Sequence, residues 1–197
     1  MIRSFIAIEL GSQTLEQLVT FQKVLIDTGA DIKLVEAQNI HITLRFLGEI
    51  PLNLTNRISE ELKLLQFGPF EVSIQGTGVF PELGRINVVW VGIEKGVIEL
   101  IDIHGQVNSR LKKLGIRPDD RGFSPHITVA RVRSARNKDR LAETILSTRD
   151  EELGVFEVNS VKLKKSILTP KGPIYTTLAE VRATGNQPQK MKANANL

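Results

Sequence analysis

Two histidines stand in the same four-residue setting, His41-Ile42-Thr43-Leu44 and His126-Ile127-Thr128-Val129, 126 − 41 = 85 positions apart. In an extended strand alternate side chains share a face, so each His lies beside its Thr while the aliphatic pair points the other way, into a core. Two imidazoles and two hydroxyls converging on one groove suit a phosphate. The hydroxyls donate to non-bridging oxygens, a neutral imidazole takes a proton from an attacking oxygen, and an imidazolium gives one to a leaving oxygen. An ordinary pKa of about 6.5 lets histidine play either part near neutrality. One His-x-Thr-x match carries little information. Two of only three histidines in this setting, at equivalent places in the chain, carry far more.

The equivalence extends beyond the motifs. The same offset carries Phe5-Ile6-Ala7-Ile8-Glu9 onto Trp90-Val91-Gly92-Ile93-Glu94 without a gap, which marks an internal duplication. The first half reads as a strand over 3–9, a helix over 13–28, an extended segment near 32–35, the motif strand over 40–47 ended by Gly48, a helix over 54–66 with Leu54, Ile58, Leu62 and Leu65 on one side, and a strand over 70–74. The second half repeats the order. A strand spans 87–94; a helix spans 97–114 with Leu100, Ile101, Val107, Leu111 and Leu114 on its buried side and Gly115 as its stop; the motif strand spans 123–132 and a helix 139–148. Phe156-Glu157-Val158 then matches Phe70-Glu71-Val72 at an offset of 86 and reads as the repeat continuing with a one-residue slip. Strands near 160–168 and 174–182 close the fold. No glycine-rich phosphate loop follows any strand, so the pattern favours two lobes related by a pseudo-twofold over a doubly wound sheet. Residues 1–183 read as one domain, and 184–197, without apolar periodicity, as a disordered and dispensable tail.

With 197 residues and 41% apolar content the chain can bury a substantial core. No run approaches the roughly 18 apolar residues of a membrane span, and no signal-peptide pattern opens the chain, so a soluble cytoplasmic protein is expected. Cysteine is absent, which excludes disulfides, thiolate nucleophiles and Cys-ligated zinc. The histidines also lack the spacing and accompanying carboxylates of common metal sites, so neither a metal nor a cofactor is expected. A net charge of +4 is compatible with a polyanionic partner. The basic clusters Arg131, Arg133, Arg136, Lys138, Arg140 and Lys162, Lys164, Lys165 read as solvated faces. The third histidine, His104, falls in a helix without a partner motif and reads as structural or surface.

At its motifs the chain resembles the two-histidine (2H) phosphoesterase superfamily and, within it, the RNA 2′,3′-cyclic phosphodiesterases, also called 2′-5′ RNA ligases. The resemblance is carried by Arg3-Ser4-Phe5-Ile6-Ala7-Ile8, by Asn39 to Gly48, by Val88-Val89-Trp90-Val91-Gly92, by Phe123 to Arg131 and by Ser166 to Tyr175. It implies an α+β fold of two antiparallel-sheet lobes with flanking helices around a central groove, and metal-independent opening of a 2′,3′-cyclic phosphate at an RNA end, tRNA fragments among them, to a 2′-phosphate. On this sequence it implies His41 and His126 as the acid–base pair, with His41 favoured as the acid, and Thr43 and Thr128 as phosphate-holding hydroxyls. Arg131 matches a family arginine, although strict alternation puts it on the opposite face from His126 unless a bulge redirects it. Arg45 shares the parity of His41 and is expected to face the groove as a further substrate-binding residue. A monomer is the default for a groove built within one chain. The alternatives are RNA ligation, in which a 5′-hydroxyl replaces water, and a nucleotide- or RNA-binding module with little turnover.

Overall fold

The structure is a computed structural model in which residues 1–118, 122–170 and 172–184 are described. The first half of the chain supplies β1 (Ile2–Glu9), α1 (Ser12–Asp27), β2 (Ile32–Leu34), β3 (His41–Ile50), α2 (Leu52–Leu62) and β4 (Phe70–Glu82). The second supplies β5 (Arg85–Lys95), α3 (Val97–Lys113), β6 (His126–Val132), α4 (Lys138–Ser147), β7 (Glu152–Val158), β8 (Ser160–Thr169) and β9 (Gly172–Arg182). The strands form one antiparallel sheet in the order β7-β4-β5-β6-β3-β1-β8-β9, with β2 added beside β6. Its two central strands are the motif strands, which pair at Ile42 and Ile127.

The sheet order is symmetric about that junction, but the lobes are not the two halves of the sequence. One lobe, β3-β1-β8-β9, takes its outer pair from the second half, while the other, β6-β5-β4-β7, takes β4 from the first. The helices cross as well: α1 packs on β6 and β7, and α3 packs on β3 and α2. Phe70-Glu71-Val72 and Phe156-Glu157-Val158 are therefore not copies of one element. They are neighbours in one lobe, Phe70 opposite Val158 and Val72 opposite Phe156, and by position the counterpart of β4 is β8. A second adjustment concerns β1 and β5. Ala7 pairs with Thr43 and Trp90 with Thr128, so these strands correspond at 90 − 7 = 83 positions rather than 85. A shift of two preserves which face each residue occupies, and the duplicated pattern survives.

The helices form where apolar residues recur at three and four. In α3 the buried side is Leu100, Ile103, Val107 and Leu111; Ile101, assigned to that side from sequence, is 48% exposed. In α1 it is Leu18, Phe21 and Leu25. These stripes cover the sheet face carrying Ile6, Ile8, Ile42, Val91 and Ile127, each essentially inaccessible to solvent. Burial of each such side chain stabilises the fold by about 1.5–3 kcal/mol. Gly48 does not end β3. It takes a left-handed φ of 68° at an irregularity in which Phe46 faces Phe5 and Gly48 faces Ser4, and the strand runs on to Ile50. β4 likewise extends to Glu82, well beyond the strand expected at 70–74. No helix of the described residues is long and apolar enough to cross a membrane. Residues 185–197, most of the expected tail, lie outside the described residues; Thr184 is tied by its backbone N–H to the Phe67 carbonyl at 3.0 Å.

Candidate active site

The single pair that joins the halves also assembles the site. With Ile42 opposite Ile127 in an antiparallel ladder, His41 comes opposite Thr128 and Thr43 opposite His126, all four on the face away from the aliphatic core. The two imidazoles sit diagonally, each beside the hydroxyl of the other motif. Each ring is aimed in the same way: His41 Nδ1 bonds the Asn39 carbonyl at 2.7 Å and His126 Nδ1 the Ser124 carbonyl at 2.8 Å. A carbonyl can only accept, so each neutral ring carries its proton on Nδ1 and turns Nε2 to the groove. The Thr43 hydroxyl then donates to His41 Nε2 at 2.8 Å.

Aromatic walls differ at the two ends. His41 lies against Phe5 with centroids 4.9 Å apart and meets Tyr175 edge-on at 5.5 Å. His126 meets Phe80 edge-on at 5.0 Å, with Trp90 behind at 6.2 Å. The indole lies across Gly78 of the neighbouring strand, where any Cβ would overlap the ring, so this position must be glycine. Desolvation lowers the His41 pKa to about 4; the Asn39 carbonyl and Glu9 oppose that shift, and Lys164 adds to it. Burial raises the Tyr175 hydroxyl above its ordinary value, against the opposing charges of Arg131 and Arg3.

The two arginines exchange the places expected of them. Opposite β1, Ile6 pairs with Arg45 and Ala7 with Thr43, leaving Leu44 as an extra residue; opposite β5, Val89 pairs with Ala130 and Trp90 with Thr128, leaving Val129 extra. Leu44 and Val129 are equivalent, so the same bulge occurs in both motif strands and reverses the alternation after it. Arg45 is thereby turned under the sheet, 7% exposed, and its guanidinium donates to the Arg117 carbonyl. It does not face the groove. Arg131 is turned up into it, exposed, paired in register with Lys33. The bulge carbonyl of Val129 accepts from Gln22 Nε2 of α1 at 2.8 Å and from the Val35 N–H at 2.9 Å.

Sequence reasoning missed a charged group at the His41 end. Glu9, opposite His41, binds both Lys162 and Lys164 across the sheet, and Lys164 is 6% exposed. Burial pushes the Glu9 carboxyl up, but the two ammoniums outweigh it and hold it below its usual value. These lysines are not a solvated face. The signal was their spacing of two, which in a strand puts both on one side. Tyr175 was visible only within a segment of family resemblance. Among the described residues no three His, Asp or Glu side chains gather closely enough to hold a metal ion.

The family model of the LigT like Phosphoesterase matches the chain twice, over residues 8–90 and 91–175, in line with the duplication. An RNA 2′,3′-cyclic phosphodiesterase of Aeropyrum pernix is 43% identical over 159 residues, 81% of this chain and 90% of that protein. One of Methanothermobacter thermautotrophicus is 38% identical over 183 residues, 92% of this chain and 98% of that protein. The crystal structure of a Thermus thermophilus protein, 26% identical, superposes with a TM-score of 0.77 over 94% of this chain and all of its own. By the double match and by relatives aligned over nearly their whole length, the chain belongs to the LigT-like phosphoesterase family.

Proposed function

We propose that this chain hydrolyses the 2′,3′-cyclic phosphate at an RNA end to a 2′-phosphate, with His41 and His126 moving the protons and Thr43 and Thr128 holding the phosphate. The observation that carries this reading is the register at Ile42 and Ile127, which interleaves two imidazoles and two hydroxyls on one groove face. The named activity of the relatives agrees with it. Water attacks phosphorus as one Nε2 takes its proton; the bond from phosphorus to O3′ breaks, and the other imidazole protonates O3′. Arg131, turned into the groove by its bulge, offers a fixed positive charge to the oxygens. Burial keeps His41 neutral in the free protein, which suits a base. For His41 to act as the acid, the negative charge of the substrate must first raise its affinity for a proton. RNA ends, tRNA fragments among them, are the proposed partner, and one chain suffices to form the groove.

The test is purified protein in excess EDTA with an RNA oligonucleotide ending in a 2′,3′-cyclic phosphate, with and without a 5′-hydroxyl RNA as competitor for water. We expect a 2′-phosphate from the wild type and its loss in both His41→Ala and His126→Ala. A 2′-5′ joined product would mark ligation as the main reaction. Binding without any turnover would overturn the enzymatic reading.

A further inference from the structure

His126 enters its strand from Phe123-Ser124-Pro125, and the Ser124 carbonyl that aims its ring belongs to that segment rather than to the sheet. Such a contact orients an imidazole only as well as the segment itself is held. One side chain holds it from the helix side of the sheet. His104 of α3 lies flat on Phe123, with ring centroids 4.2 Å apart and planes 13° apart, and Asn108 one turn on meets His104 Nε2 at 3.0 Å. Arg45, turned under the sheet by the Leu44 bulge, donates to the Arg117 carbonyl where the connection leaves α3. Burial first, and the Arg45 charge second, depress the proton affinity of His104. The other motif has a parallel. Asn39, whose carbonyl aims His41, donates through its side chain to the Pro173 carbonyl of β9 at 3.0 Å.

We propose that His104 is a positioning residue for His126: its ring pins Phe123, so that the Ser124 carbonyl keeps the imidazole protonated on Nδ1 with Nε2 toward the phosphate. The effect on turnover rests on the two-histidine reading above. The effect on the ring does not.

With only three histidines in the chain, ¹⁵N NMR resolves each imidazole. At alkaline pH the wild type shows His126 as the Nδ1–H tautomer. His104→Ala gives His126 a mixture of tautomers and lowers kcat about 10- to 100-fold with KM changed by no more than about twofold, as for a reacting group held slightly out of place. His104→Phe, which keeps a ring on Phe123, recovers most of both losses. An unchanged His126 tautomer in His104→Ala overturns the proposal, whatever happens to the rate. If His104→Ala does not fold, Phe123→Leu removes the same stack from the other side and is read identically. A wild type without cyclic phosphodiesterase activity whose His126 tautomer still responds to these variants sinks the functional reading and supports the positioning role.

Discussion

His41 lies where its charged form is opposed, between Phe5 and Tyr175, with its pKa lowered from 6.5 to about 4. Two consequences can be measured. The unfolded chain binds a proton at this position as the pH falls through about 6.5 and the folded chain does not until about 4, so stability is lost across that interval on acidification, by an upper bound on the order of 3 kcal/mol. Denaturant melts between pH 7 and 4 check this, and His41→Gln should flatten the slope. The second consequence concerns catalysis. A phosphate beside His41 raises its proton affinity, so the ionisation seen in kcat, which reports the complex, lies above the one seen in kcat/KM, which reports the free protein. Coincident values would remove the phosphate from His41. Alternation alone located the four motif residues on one face. It misplaced Arg45 and Arg131, since the bulges at Leu44 and Val129 depend on backbone pairing that no side-chain spacing encodes.

At the scale of elements, α1 supports the groove through one side chain. Gln22 is 4% exposed and bonds the bulge carbonyl of Val129, which would otherwise lose a donor inside the protein. Gln22→Leu is expected to cost about 1–3 kcal/mol in stability and to raise KM as Arg131 loses its aim, read by thermal melts and steady-state kinetics. Gly78→Ala probes the other wall: its methyl group would displace the Trp90 indole and, through Phe80, the packing against His126. We expect lower kcat together with a loss of about 1–3 kcal/mol. Helix faces were legible because their apolar period is local. The extension of β4 through Gly76, Thr77 and Gly78 was not, because its glycines mimic turn signals while Gly76 answers to the Arg149 backbone and Gly78 to Trp90 across the sheet.

For the whole molecule, strand exchange makes the halves of the sequence interdependent. Fragments 1–84 and 85–184, expressed separately, should lack cooperative unfolding, whereas mixing them should restore a single transition, as followed by circular dichroism. A chain ending at residue 184 keeps β9 and the Thr184 contact to Phe67 and should retain the melting temperature and activity of the full chain. The duplication was legible from two motifs, but not the exchange, because the matching Phe-Glu-Val triplets lie on strands that pair with each other. The exchange also fixes an order of events during synthesis. The lobe around His126 is built from strands contiguous in the chain from Phe70 to Val158, while β1, at the N-terminus, waits for β8 and pairs Arg3 with Ser166. A nascent chain can therefore close one wall of the groove once β7 has emerged and must leave the other open until β8 and β9 have followed, so Tyr175 is the last aromatic to reach His41.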